Sequence, residues 1–199
     1  MSLSDLRERC ALVVALWLAA MTHASRAQAD ERPLSPSVEL LGGYGVELVK
    51  VGTSDPSAYG LGLGMRAGLV LPGHLYVGGT FVQQLGWKQT ASDALGTSTY
   101  RGAYHVTYTG AELGWALAND RLLVRGYVGT GALLAFGRTA VGRVERRDDR
   151  AYFYVAPGLL TAARIGRWYG GFDMRFVMVP AQPTTEWAPA LFFTVGTAL

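Results

Sequence analysis

From Tyr59 to Leu71 the chain reads YGLGLGMRAGLVL, with Tyr59, Leu61, Leu63, Met65, Leu69 and Leu71 alternating with Gly60, Gly62, Gly64, Arg66 and Gly68. A period of two is the pattern of a β-strand whose faces meet different surroundings. The same alternation recurs along the chain. Trp168, Phe172, Met174, Phe176 and Met178 oppose Asp173 and Arg175; Leu122, Val124, Val128, Leu134 and Phe136 oppose Arg125. Val38, Leu40, Tyr44, Val46 and Leu48 oppose Glu39 and Glu47, and Leu191, Phe193, Val195 and Leu199 form the apolar face of the last segment. No stretch after residue 30 keeps a helical period.

These segments predict eight strands, over residues 37–50, 58–71, 75–87, 103–117, 122–137, 151–165, 168–179 and 188–198. Soluble strands usually run about 5 to 6 residues, whereas a strand that crosses a bilayer at a tilt needs about 9 to 11. Most of the predicted strands have the second length. Their connections alternate between tight turns (72–74, 118–121, 166–167) and longer segments (51–57, 88–102, 138–150, 180–187). The reading is therefore an all-β fold, an antiparallel up-and-down transmembrane β-barrel with lipid outside and a narrow, glycine-rich, charged lumen inside.

In that arrangement the lumen charges are Glu39, Glu47, Glu112 and Asp173 with Arg66, Arg125, Arg164 and Arg175, equal in number of each sign. A lone buried charge costs several kcal/mol, so these groups are expected to pair or stay hydrated. Trp87 and Trp187 are expected near one rim and Trp115 and Trp168 near the other, as two interfacial girdles. A soluble barrel would show the same alternation with the faces exchanged, but abundant glycine and sparse charge suit it poorly. Pro157 predicts a bulge or frayed pair in the sixth strand. An apparent change of phase between Tyr104–Tyr108 and Ala111–Leu117 predicts a bulge near Thr109 and Gly110.

The first 29 residues read as a secretory leader: Arg7 and Arg9, the apolar run from Cys10 to Met21, and small residues at Ala27 and Ala29. That run is short of the roughly 20 residues a membrane-spanning helix needs. The barrel domain is then expected over residues 30–199. Cys10 is the only cysteine and would leave with the leader, which removes disulfides, thiolate metal sites and a cysteine nucleophile from consideration. The chain carries 18 Lys and Arg against 15 Asp and Glu, an excess too small to argue for nucleic-acid binding.

With these strands, and with the terminal segment ALFFTVGTAL, Ala190 to Leu199, the chain resembles the small eight-stranded outer-membrane β-barrels represented by the outer membrane proteins A and X. The likeness covers most of residues 36–199 and rests on architecture rather than on a catalytic motif. Such barrels often end in an aromatic residue read by the assembly machinery, whereas this chain ends in Leu199. The resemblance implies a monomer in the bacterial outer membrane, with that lipid, lipopolysaccharide and the assembly machinery as partners. It implies a structural or surface-binding role for the longer connections, a narrow channel or carrier being the alternative.

Catalytic chemistry has little support in the sequence. His74 and His105 show no spacing typical of metal ligands, so no metal and no cofactor is expected. Some outer-membrane barrels modify lipid A with a serine and a histidine, and the candidates here would be Ser98 or Thr99 with His105 and Asp93. Proximity along a loop does not establish the contacts such a triad requires. The segment GRVERRDDR, read as an external loop, holds Arg143, Arg146, Arg147 and Arg150, which could meet lipopolysaccharide phosphates. Its intervening Glu145, Asp148 and Asp149 equally allow a self-paired, solvated tip.

Overall fold

The computed structural model describes residues 35–46, 59–92, 99–141, 144–180 and 185–198. Among them are eight strands: β1 (Ser35–Gly45), β2 (Gly60–Val70), β3 (Leu75–Ser92), β4 (Thr99–Ala118), β5 (Leu122–Val141), β6 (Val144–Ile165), β7 (Trp168–Pro180) and β8 (Thr185–Ala198). Each pairs antiparallel with the next, and β1 pairs with β8 from Ser37↔Ala198 to Gly45↔Ala190, closing the barrel. Closure satisfies the backbone donors and acceptors that an open sheet would leave in lipid.

The two faces are inverted relative to a water-soluble barrel. Leu40 and Leu63 each expose 64 % of their surface on the outer wall, while Glu39 and Arg66, the residues next to or near them in sequence but on the inner wall, expose 1 %. Met65, Phe172, Leu191 and Phe193 are likewise exposed, and Glu112, Arg125, Asp173 and Arg175 are buried. An apolar outside with ions inside is stable only where the surroundings are themselves apolar, so this is a transmembrane barrel.

Three tight connections define one end, here the turn end. Pro72–His74 is a 3-10 turn with Gly73 at φ +79° and His74 at +67°, across which the Leu71 N–H donates to the Leu75 carbonyl at 2.7 Å. Asn119 shapes the second turn: its Oδ1 accepts from the backbone N–H of Arg121 (2.9 Å) and Leu122 (2.7 Å). Gly166, at φ +61°, opens the third. Trp115 donates from Nε1 to the Gly73 carbonyl at 3.0 Å, and Trp168 stands exposed beside the Gly166–Arg167 turn. Trp187 lies half-buried near the start of β8, at the opposite end, and Trp87 falls in β3.

The structure corrects the opposite, hairpin end. Residues 88–92 and 99–102, read as loop, continue β3 and β4, and residues 138–141 and 144–150 continue β5 and β6. The β5–β6 register runs unbroken from Leu122↔Ala163 to Val141↔Val144. Beyond the apolar band both faces of a strand can be polar, so alternation ends where pairing does not. Among the described residues, β6 from Val144 to Tyr154 has only β5 as a ladder partner, its pairing with β7 beginning at Val155↔Met178. The first strand, expected over 37–50, is described only to Gly45, and Glu47 lies outside the described residues.

The irregularities also differ from the sequence reading. No bulge occurs at Thr109 and Gly110, where both ladders of β4 are continuous. Even-numbered residues from Val106 to Ala116 face inward throughout, and the apparent change of phase arose because the inward Val106 and Tyr108 are not polar. The register shift lies in β3, between Leu85 and Lys88. At Pro157, which lacks a donor, the β6–β7 ladder skips from Val155↔Met178 to Gly158↔Arg175 with register kept, a frayed pair. Tyr59, grouped by sequence with the outward residues, turns inward and is 3 % exposed.

Candidate functional site

Inside, the barrel is stacked in three layers. Tyr76, Leu123, Tyr127, Leu160 and Tyr169 pack together toward the turn end. Val82, Val106, Tyr108, Leu133, Tyr154, Val177 and Phe192 pack toward the hairpin end. Between them Glu39 of β1, Arg66 of β2, Glu112 of β4, Arg125 of β5 and Asp173 and Arg175 of β7 form one layer of balanced charge.

Arg66 is the hub. Its Nη1 donates to Glu39 Oε2 at 2.9 Å and its Nη2 to Asp173 Oδ2 at 2.5 Å, while Nε stands 2.7 Å from Glu112 Oε2. Glu39 also accepts from Arg125 Nη1 and, at 2.9 Å, from the Tyr169 hydroxyl. Asp173 accepts from Arg175 Nε at 2.9 Å and from the Tyr127 hydroxyl at 2.7 and 2.8 Å. Glu112 accepts from Tyr76 at 3.4 Å and lies 3.8 Å from Arg175 Nη1. Every carboxylate thus meets at least one guanidinium and a hydroxyl, which offsets the several kcal/mol that burying an ion costs.

The tyrosines serve the layer twice. Besides donating hydroxyls, Tyr76 carries the Arg125 guanidinium over its ring at 4.0 Å and Tyr127 carries that of Arg66 at 4.6 Å. Glycines on the inner wall make room for these rings. A Cβ at Gly158 would come 2.4 Å from Tyr127 Cζ, and one at Gly196 would come 2.5 Å from Tyr169 Cζ. The tyrosines were not among the expected site residues, although Tyr127 and Tyr169 share the inward phase of Arg125 and Asp173. Phase, rather than charge, was the signal.

Of the eight expected lumen charges the structure brings six together. Arg164 sits apart, half-buried at the turn end, with Nη1 donating to the Asn119 carbonyl at 3.1 Å. Its strand position has the inward phase, but it is too near the end of β6 to reach the layer.

The arginine-rich segment is corrected from loop to strand. Arg146, Arg147 and Arg150 lie in β6, and Arg143 is outside the described residues. Three residues apart on a strand, Arg147 and Arg150 occupy opposite faces rather than one cluster. Arg147 Nε donates to Asp149 Oδ2 at 2.6 Å, both side chains being substantially exposed. His105 stacks on Phe136 with centroids 4.8 Å apart, and His74 meets Trp115 edge-on at 5.5 Å. Asp93 and Ser98 lie outside the described residues, and Thr99 opens β4. Among the described residues, no group of three His, Cys, Asp or Glu is placed to hold a metal.

The fold and its inverted faces define the class, a small eight-stranded transmembrane β-barrel closed across its middle. Similar solved structures include Neisserial surface protein A, 9 % identical with a TM-score of 0.49, covering 83 % of this chain and 97 % of that one. The N-terminal β-barrel domain of Pseudomonas aeruginosa OprF is 11 % identical, with a TM-score of 0.48 and coverages of 80 % and 96 %. Ail, the attachment invasion locus protein of Yersinia pestis, solved in complex with the heparin analogue sucrose octasulfate, is 12 % identical, with a TM-score of 0.47 and coverages of 83 % and 97 %. No family model and no curated protein sequence matches the chain.

Proposed function

We propose that this protein is a bacterial outer-membrane barrel that acts at the cell surface through the wall built from β3 to β6, and neither conducts solutes nor catalyses a reaction. The turn end would face the periplasm and the hairpin end the outside. The observation that carries this reading is the unequal height of the strands. β1 and β2 are 11 residues long, enough to cross the membrane, whereas β4, β5 and β6 run to 20, 20 and 22. Length beyond the bilayer does nothing for the crossing, but it raises a paired, charged sheet above the rim. The lumen argues against transport: an eight-stranded interior has room for side chains alone, and here they close it with ions between apolar layers.

Two measurements test the reading together. With Cys10 expected to leave with the leader, Arg147→Cys would supply a single thiol on the wall. A membrane-impermeant maleimide is expected to label it on intact cells, and purified barrels in planar bilayers are expected to give no discrete conductance. Labelling only after the cells are broken would overturn the orientation, and steady single-channel currents would overturn the closed lumen.

A further inference from the structure

At the turn end the lumen opens into a cup of about 110 Å³. Its floor is Arg125 and Tyr169, the underside of the charge layer, and its wall includes Arg164 together with Val70, Leu123 and Ala198. Among the described residues its lining holds two arginines and no carboxylate. Arg125 is 1 % exposed, and its Nη1 is committed to Glu39. Arg164 spends Nη1 on the Asn119 carbonyl, and a guanidinium has five N–H donors. The cup thus offers positive charge on its floor and, from Arg164, unspent donors on its wall, with apolar surface between them.

From this geometry we propose that the cup binds a small monocarboxylate, its carboxylate held by Arg164 and Arg125 and its apolar tail laid against Val70, Leu123 and Ala198. A neutral solute would make no use of the charge on these groups, and a bare phosphate would leave the apolar wall uncovered. The small size of the cup suits a short-chain acid. A short fatty acid and the C-terminus of a peptide ending in a small apolar residue present the same chemistry. The cup ends at the charge layer, so it is a binding site and not the mouth of a passage, and it does not depend on what the opposite wall contacts.

The test uses the full barrel in phosphatidylcholine nanodiscs, with amide resonances followed by NMR during titration with butyrate, butanol, inorganic phosphate and N-acetylalanine. Butyrate is expected to shift the amides of Ala116 and Ala198 saturably, with butanol and phosphate at least tenfold weaker. N-acetylalanine binding more tightly than butyrate would assign the site to peptide termini, and the reverse order to free acids. Arg164→Gln is expected to weaken butyrate at least tenfold, Arg164→Lys to restore part of the loss, and Ala118→Trp at the cup wall to abolish binding. Retained heat-dependent gel mobility shows that each variant has folded. The absence of saturable shifts with butyrate, equal binding of butanol or phosphate, or full affinity in folded Arg164→Gln would overturn the proposal. The selectivity of the unaltered protein decides the matter even where a variant does not fold.

Discussion

At the level of Glu39 the barrel interior is held by ions, whereas nearer the hairpin end it is held by packing. In the first region Arg66 alone meets Glu39, Glu112 and Asp173, so each group's position is set by several others. In the second, Tyr108 and Tyr154 pack edge to face at 5.4 Å, and both their hydroxyls, like both amide atoms of Gln84, are buried with no hydrogen-bond partner. Equal burial therefore has different consequences. Loss of one member of the charge layer takes ion pairs from several partners at once, while a change in the hairpin-end layer is felt through packing.

The sharpest way to break the contrast is Arg66→Leu, which leaves three buried carboxylates to two arginines and takes from Glu112 its close guanidinium partner. A destabilisation of about 3–5 kcal/mol is expected, the usual result of removing one partner of a buried pair. Urea titration of the barrel in lipid vesicles would read it, and an unchanged midpoint would mean that the layer is hydrated rather than packed. Gly158→Ala comes next. The new methyl would press on the Tyr127 ring and disturb its hydroxyl bonds to Asp173, at an expected cost of about 1–3 kcal/mol. The double variant Gly158→Ala, Tyr127→Phe should cost less than the two single changes added together.

In the outer layer, Gln84→Met keeps side-chain volume and removes two unpartnered polar atoms. It is expected to be neutral or to stabilise by about 1 kcal/mol, since an unsatisfied buried polar group carries a penalty of about 1–3 kcal/mol. Measurable destabilisation would show that Gln84 has a water partner. The smallest effect belongs to the exposed wall. Arg147→Ala breaks the pair with Asp149 and should shift the thermal midpoint of the gel-mobility change very little, an exposed pair contributing about 0–1 kcal/mol.

The membrane-spanning half of the fold was legible because lipid outside and ions inside impose a strict period of two, as Leu61 to Leu69 and Phe172 to Met178 display. Above the membrane that contrast disappears, and strand and loop become indistinguishable by alternation. Arg146, Arg147 and Arg150 therefore read as a loop although the ladder continues through them. The charged members of the central layer stood out through their phase, and Arg164 shares that phase, but the stagger between strands decides which inward residues lie at one height. The tyrosines were hidden for another reason. Tyr127 and Tyr169 share the inward phase, but in a barrel expected to be polar inside an inward aromatic residue has no evident role until the glycine opposite it is known.

Glu39 has a consequence for the order in which the protein is made. It belongs to the first strand, yet its partners sit on β2, β5, β7 and β8, through Arg66, Arg125, Tyr169 and Thr194. Its compensation is complete only when the last strand has docked, with Gly196 opposite it and Ala198 against Ser37. Until then the carboxylate is better left in water than drawn into lipid, so early, partial insertion is penalised at the leading edge. A one-residue slip of β8 would turn Phe193 or Val195 inward in place of Thr194, and the seam would close on a worse neighbour. One buried acid can thus bias both the timing of closure and the choice of register, like a clasp that fits only the finished ring.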